Sequence, residues 1–545
     1  MSNPVPYASG LTRREFVAGT MASGAGACTS MLAQPAPDRD EVLYNGIRLP
    51  STWPPRNRDL SLDPVPPPYL VTPPRVIPID IGRQLFVDDF LIADTTLQRI
   101  FHLAEYHPLN PVLKPDKPWE MTGENPTAMV FSDGVWFDPR DRLFKIWYMG
   151  GYTRSTCYAT SKDGIQWEKP ALDMKPGTNI VQADTRDSTT IWLDHGASDR
   201  SRRFVMSLAH KIKDEWRLSI FRSADGIHWG EPVINTAQNG DRTTIFWNPF
   251  RKVWVYSLRD GFMGGRSRRY WENRDIVTGP LWSRREDSAA WIGADRLDPM
   301  RDDLKTQCQL YNLDCVAYES LIIGLFSIWR GQPRDRAKPN EVCIGFSRDG
   351  FHWHRPDRRA FIPVSERYGD WNWGNVQSAG GCCLVVGDKL YFYVSGRAGV
   401  RGTTQSGVST TGLATLRRDG FASMDAGQEG GTLTTRPVKF RGKYCFVNFA
   451  GTGHLAMEIL DESGKTLRGY SYQDFHPVGG DDTRLAARWN KAPDLSRLAG
   501  RTVRFRFYLQ RGKLFAFWVT DSKSGASNGY VAAGGPGFKG PADVT

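Results

Sequence analysis

A seven-residue motif, Ser-x-Asp-Gly-x-x-Trp, occurs three times in this 545-residue chain and constrains its fold more than any other feature. The copies are Ser161–Trp167, Ser223–Trp229 and Ser347–Trp353, and a degenerate fourth is Arg418-Asp419-Gly420-Phe421. Each full copy follows a short alternating apolar–polar run. The chemistry is that of a β-turn: the Asp carboxylate bonds turn amides, Gly supplies the left-handed backbone, and Trp packs between sheets.

A second series lies upstream of these turns. Phe131-Ser132-Asp133-Gly134-Val135-Trp136, Asp187-Ser188-Thr189-Thr190-Ile191-Trp192 and Asp241-Arg242-Thr243-Thr244-Ile245-Phe246 each run from a polar start into an apolar strand, then to an aromatic-rich strand. Asp187 and Asp241 are 54 residues apart, close to the length of a four-stranded propeller blade. Two further units are read from Val316-Ala317-Tyr318-Glu319 and Val376-Gln377-Ser378, which makes five. Helical periodicity is almost absent, while Asp-Gly and Pro punctuate the chain at short intervals.

The fold class expected is therefore all-β: a five-bladed β-propeller over 81–428, then a β-sandwich over 429–522. In the second part the motif disappears and plain alternation takes over, as in Val503-Arg504-Phe505-Arg506-Phe507. The Gly/Ser-rich segment 523–545 reads as a loose tail. Residues 31–80, with Pro54-Pro55, Pro66-Pro67-Pro68 and Pro73-Pro74, read as an extended linker.

Thr12-Arg13-Arg14-Glu15-Phe16-Val17 and the Gly/Ala-rich run to Ala27 give 1–30 the form of a twin-arginine export signal, which implies a periplasmic or extracellular protein. Cys28 ends a lipoprotein-like box that lacks the usual Leu three residues earlier, so a lipid anchor there is an alternative. No stretch is long and apolar enough to span a membrane. The remaining seven cysteines form no CxxC pair and have no His at ligand spacing, so free thiols and no metal site are expected. A net charge of +11 is spread over scattered Arg residues rather than one basic block, which argues against nucleic acid as a partner. Nothing in the sequence asks for a cofactor.

The turn motifs, the five units, and the pair Leu85-Phe86-Val87-Asp88-Asp89-Phe90 and Asn110-Pro111-Val112-Leu113 resemble the five-bladed propeller glycoside hydrolases of families 32, 43 and 68. The resemblance spans about 81–425, and the sandwich resembles the accessory domain that often follows such propellers. The Asn-Asp-Pro-Asn-Gly and Glu-Cys motifs of family 32 are absent, so the likeness does not extend to sucrose or fructan as substrate. It implies an oligo- or polysaccharide substrate.

In a propeller the innermost strand of each blade lines the channel, so strand-start residues converge on one funnel. Glycosidic cleavage needs an acid for the leaving oxygen and a second carboxylate to activate water or attack carbon. Glu319, Asp187 and Asp241 meet that need, with Asp133 in reserve; Glu319 is assigned the acid because the resembling enzymes use a Glu from a later blade. Arg186, Arg242, Gln377, Trp371 and Trp373 are read as substrate-binding: the arginines flank the carboxylates, and the tryptophans offer stacking surfaces. The function expected is an exported glycoside hydrolase; the alternative is a non-catalytic propeller that binds glycan or protein.

Overall fold

The computed structural model describes residues 41–56, 60–262, 264–279 and 282–544, and the export signal and Cys28 lie outside them. Apart from one four-residue α-helix, Pro68–Val71, and short 3-10 turns, the described elements are strands. Five antiparallel sheets form the blades. Their first strands are Ala128–Met129 with Val135–Asp138, Thr189–Leu193, Thr244–Asn248, Gln309–Glu319, and Asn375–Ser378 with Leu384–Val386.

These inner strands make a closed ring, and each junction has its own bond. The Trp136 indole donates to Ile191 O (2.8 Å) from blade 1 to 2, and Ser188 Oγ donates to Thr243 O (3.0 Å) from 2 to 3. Thr244 Oγ1 donates to Leu313 O (3.3 Å) from 3 to 4, and Val376 N–H donates to Asn340 O (3.0 Å) from 5 to 4. Gly380 N–H donates to Asp133 O (2.7 Å) and closes blade 5 onto blade 1. Glu105–Tyr106, from before blade 1, supplies the outer strand of blade 5, so an early segment locks the last blade.

The repeated turns tie each blade to its predecessor. In each copy the Ser hydroxyl accepts from the Gly amide (2.8–2.9 Å) and the Asp carboxylate accepts from the amide after Gly (2.8–2.9 Å). Gly164, Gly226 and Gly350 sit at φ +77°, +82° and +82°, which a side chain would strain. The turn carbonyls then receive a donor from the preceding blade. Tyr393 OH reaches Gly164 O (2.6 Å), the Trp147 indole reaches Gly226 O (2.7 Å), and the Trp291 indole reaches Phe351 O (2.8 Å). A buried hydroxyl or indole N–H needs such an acceptor, so the motif fixes inter-blade packing as well as the turn.

The C-terminal part forms one ten-stranded hydrogen-bonded sheet built on two long strands, Tyr444–Leu460 and Thr502–Thr520. Register shifts at Gly451–His454 bend this pair, as bulges do. Boundaries differ from those expected. Ile77–Pro78, Gln84–Leu85, Ile92–Thr95, Gln98–Phe101 and Ala422–Ala426 all pair into this sheet, so 77–101 belongs to it although the expected propeller began at 81. Leu43, Ile47, Leu49 and Tyr69 are buried in its core, so much of the expected linker is packed.

The segment expected to be a loose tail is also ordered. Tyr530–Val531 pairs with the end of the blade 4 inner strand. Ala533 N–H then donates to Cys383 O (3.0 Å) of blade 5, and Ala533 O accepts from Phe137 N–H (3.0 Å) of blade 1. Its Gly content reflects close packing: a Cβ on Gly535 would lie 1.8 Å from Val385 O. This segment stitches three blades at the ends of their inner strands, opposite the strand starts. Cys157, Cys308, Cys315, Cys343, Cys382, Cys383 and Cys445 are all buried, unpaired thiols.

Candidate functional site

The strand starts converge. In blade 1 the inner strand is interrupted between Met129 and Val135, and Ser132, at φ +61°, turns its hydroxyl across the ring. That hydroxyl donates to Asp314 Oδ2 (2.9 Å) of blade 4, which also accepts from Asn312 Nδ2 (2.8 Å) and from Ser378 Oγ (2.5 Å) of blade 5. Asp314 is thus a buried hub tying blades 1, 4 and 5.

Above this hub lies a charged layer. Asp133 is fully buried and paired with Arg186 at 2.8 Å, and it accepts from Phe131 N–H (2.8 Å). Arg242 crosses from blade 3 to blade 1, where its guanidinium stacks 3.5 Å from the Phe131 ring centre and donates to Phe131 O (2.9 Å). Arg268 donates to Arg242 O, Tyr311 O and Asn312 Oδ1. Arg397 of blade 5 lies 5.3 Å from the Phe131 ring and donates to Tyr152 OH (3.3 Å) and Ser406 Oγ (3.2 Å).

Asp187 and Asp241 are the carboxylates of this layer that reach solvent, each half-buried. The Asp187 backbone is fixed by Ala209 O (2.9 Å), while its Oδ1 is enclosed with no hydrogen-bond partner. Burial pushes the Asp187 carboxyl up to about 6; nearby Asp241 pushes the same way, and Arg242, Arg186 and Arg397 only partly offset them. Asp241 accepts from Arg242 N–H (2.8 Å) and pairs with Arg259 at 3.3 Å. Tyr152 is partly exposed beside Arg397, whose charge lowers the phenol's pKa.

Of the residues singled out in the sequence, Asp133, Arg186, Asp187, Asp241, Arg242 and Gln377 lie on these converging starts. Gln377 is buried, donates to Asn375 Oδ1 (2.9 Å) and leaves its own Oε1 without a partner. Glu319 is not brought to the group. It ends the 11-residue inner strand of blade 4 rather than starting it, because Tyr318–Leu321 is a hairpin turn and the strand begins at Gln309.

There Glu319 is fully buried among Arg83 N–H (3.1 Å), Arg418 Nη2 (3.0 Å) and Ser527 Oγ (2.6 Å). Burial raises its pKa. Arg83 also pairs with Asp419 at 2.8 Å, and Asn448 Nδ2 donates to that same carboxylate (2.9 Å). Although buried, Asp419 is held below the usual carboxylate range by Arg83 and Arg418. The degenerate turn motif has here become an ionic joint between blade 4, the N-terminal strands and the C-terminal sheet.

The two tryptophans are packing residues. Trp371 lies against Gly396 and Gly412 of blade 5, with Tyr106 edge-on at 5.4 Å. Trp373 is 7% exposed between Arg336 (4.8 Å) and Tyr368 (4.9 Å). Sequence reading missed Arg397, Tyr152, Arg268 and Asp314, which lie outside the repeated strand starts. The available signal was charge inside apolar strands, as in Tyr393-Val394-Ser395-Gly396-Arg397.

Fold and site together define a five-bladed propeller with a largely buried charged layer at its strand starts, reached from solvent at Asp187, Asp241 and Tyr152. Among solved structures, the chain is similar to a thermostable family-43 glycoside hydrolase, with 11% identity, 56% of this chain and 95% of the other covered, and a TM-score of 0.37. It is also similar to a structure described under the GH130 family of mannoside phosphorylases, which contains glycoside hydrolases targeting β-1,2 mannosidic linkages in Candida mannan (15%, 60% and 97%, 0.38). A third is the β-fructofuranosidase of Schwanniomyces occidentalis complexed with fructosyl-erythritol (11%, 80% and 99%, 0.32). No protein-family profile matches the chain, and no curated protein does.

Proposed function

We propose that this chain is an exported glycoside hydrolase whose general acid is Asp187. One observation carries the reading: a carboxyl at the funnel mouth, open to solvent on one side, is held up to about 6 by burial and by a second carboxylate. A general acid must keep its proton near working pH and still touch the leaving oxygen, and Asp187 has both properties. Asp241, beside it and half-buried, is the partner carboxylate that activates water or attacks the anomeric carbon. Arg186, fixed by Asp133, is a positioning residue whose charge keeps Asp187 from rising further.

In the reaction the glycosidic C–O bond breaks as the Asp187 proton passes to the leaving oxygen. The new bond at the anomeric carbon forms to water, whose proton passes to Asp241, or to Asp241 itself, in which case water, deprotonated by Asp187, then hydrolyses the ester. Glu319 takes no part, being enclosed far along the strand from the funnel mouth. The twin-arginine signal in 1–30 supports export of the folded protein, which suits seven unpaired buried thiols.

The test is product release from a panel of plant, algal and bacterial glycans. Wild type should release sugar, while Asp187→Asn and Asp241→Asn should each lose at least about 100-fold in kcat. Release that persists undiminished in Asp187→Asn rejects the assignment. Glycan binding without release by the wild type moves the reading to a non-catalytic propeller.

A further inference from the structure

The molecule has a consistent way of burying arginine. Arg348 is paired with Asp88 at 2.8 Å, Arg203 with Asp138 at 2.7 Å, Arg83 with Asp419 at 2.8 Å and Arg330 with Glu341 at 3.1 Å. A buried guanidinium is otherwise costly, so carboxylate pairing is the expected arrangement. The funnel departs from it. Arg242, Arg268 and Arg397 are 2%, 0% and 4% exposed, and their partners are carbonyls, hydroxyls and one amide oxygen. Arg242 Nε and Nη2, Arg268 Nε and Arg397 Nε are enclosed and have no protein acceptor; enclosed guanidinium nitrogens also go unpaired in Arg83, Arg355 and Arg418, so what sets these three apart is the missing carboxylate.

All but one of the nearby acids are committed elsewhere or are weak. Asp133 is taken by Arg186 and Asp241 by Arg259, Asp187 is half-protonated near pH 6, and Asp314 is left as the chief offset to the charges of Arg242 and Arg268. The cations feel one another: burial and Arg242 lower the Arg268 pKa to about 9. At the rim Lys338, on Tyr311 OH at 3.1 Å, adds a further positive charge. Low-dielectric walls focus such an excess toward the opening.

Resting on the glycosidic reading of this site, we infer that the site selects a glycan bearing an oxyanion, a carboxylate or sulfate, seated against Arg397 beside Asp187, with the charges of Arg242 and Arg268 behind it. Tyr152 is partly exposed and covers the nearly buried Arg397, with Tyr152 OH accepting from Arg397 Nη1 (3.3 Å). A neutral sugar gains nothing from the excess positive charge, whereas an oxyanion is attracted by it and pairs with Arg397 at charge-assisted strength. The substrate then also assists the acid. Arg242 and Arg397 both lower the Asp187 pKa, and an anion that neutralises them lets Asp187 hold its proton to higher pH.

The experiment is calorimetric binding by the full chain carrying Asp187→Asn, which prevents turnover. The probes are a galacturonate trisaccharide, a sulfated galactose trisaccharide, the neutral galactose trisaccharide and inorganic sulfate. At least one charged trisaccharide should bind about tenfold more tightly than the neutral one, with the advantage shrinking in high salt. Which one does so separates carboxylate from sulfate as the recognised group. The advantage should fall below about threefold in Arg397→Gln and in Arg242→Gln. Circular dichroism checks folding, and Arg397→Gln carries the result if the more buried Arg242 variant does not fold.

Equal binding of charged and neutral sugars, no binding of either charged sugar, an advantage that survives Arg397→Gln, or inorganic sulfate binding as tightly as the sulfated sugar overturns the inference. Hydrolysis of neutral glycans without charge preference would reject it and leave the hydrolase reading standing. Charge-selective binding with no release by the wild type would do the reverse.

Discussion

At the residue scale, two carboxylates, Asp187 and Glu319, sit at opposite ends of the inner strands. Asp187 has its folded pKa raised above the unfolded value, so its contribution to stability is fully present below about pH 4 and is lost as pH rises through about 6. Asp187→Asn removes an enclosed carboxylate and should raise the thermal midpoint at pH 7.5, by an amount on the order of 1–2 kcal/mol, with no gain at pH 4. Thermal melts of both proteins at the two pH values check this, and an equal shift at both would contradict it. Asp187 and Asp241 were legible because they open repeated strands whose polar start must face a channel. Glu319 was misread because Val-Ala-Tyr-Glu-Ser-Leu has the texture of a strand start, whereas it is the end of a longer strand and its turn. No local pattern in one sequence marks which end of an inner strand a residue occupies.

At the element scale, the repeated turn and the C-terminal segment carry the architecture. The turn was legible because its chemistry is local: Ser, Asp and Gly bond within seven residues. Its second task, accepting Tyr393, Trp147 and Trp291 from preceding blades, depends on contacts 60 to 229 residues apart and was not legible. The same holds for Tyr530–Val531, whose Gly-rich surroundings read as slack because the blades they press against are distant in sequence. Gly535→Val should therefore cost at least about 2–3 kcal/mol by overpacking against Val385 O. Denaturant unfolding measures it, and an unchanged midpoint would show that the segment is not held. Glu319→Gln should cost about 3 kcal/mol by leaving Arg418 short of a buried partner, while the proposed glycan release by the folded variant keeps its kcat. A large fall in kcat with unchanged stability would return Glu319 to the mechanism.

At the scale of the whole molecule, five blades bring strand starts that lie more than 200 residues apart into one funnel, and the C-terminal segment stitches the opposite end. The all-β class and the blade count followed from periodicity and spacing. The domain borders did not, because 77–101 and 422–426 join a sheet whose other strands lie far along the chain. Described helices cannot cross a membrane, none being long and apolar enough. The proposed role of Asp187 as the acid is tested by the pH dependence of kcat/KM on a released glycan. The rate should fall as pH rises through about 6, and Asp187→Asn should lose both the rate and that limb. A wild-type profile flat from pH 5 to 8, or an Asp187→Asn profile that keeps the limb near 6, would contradict it.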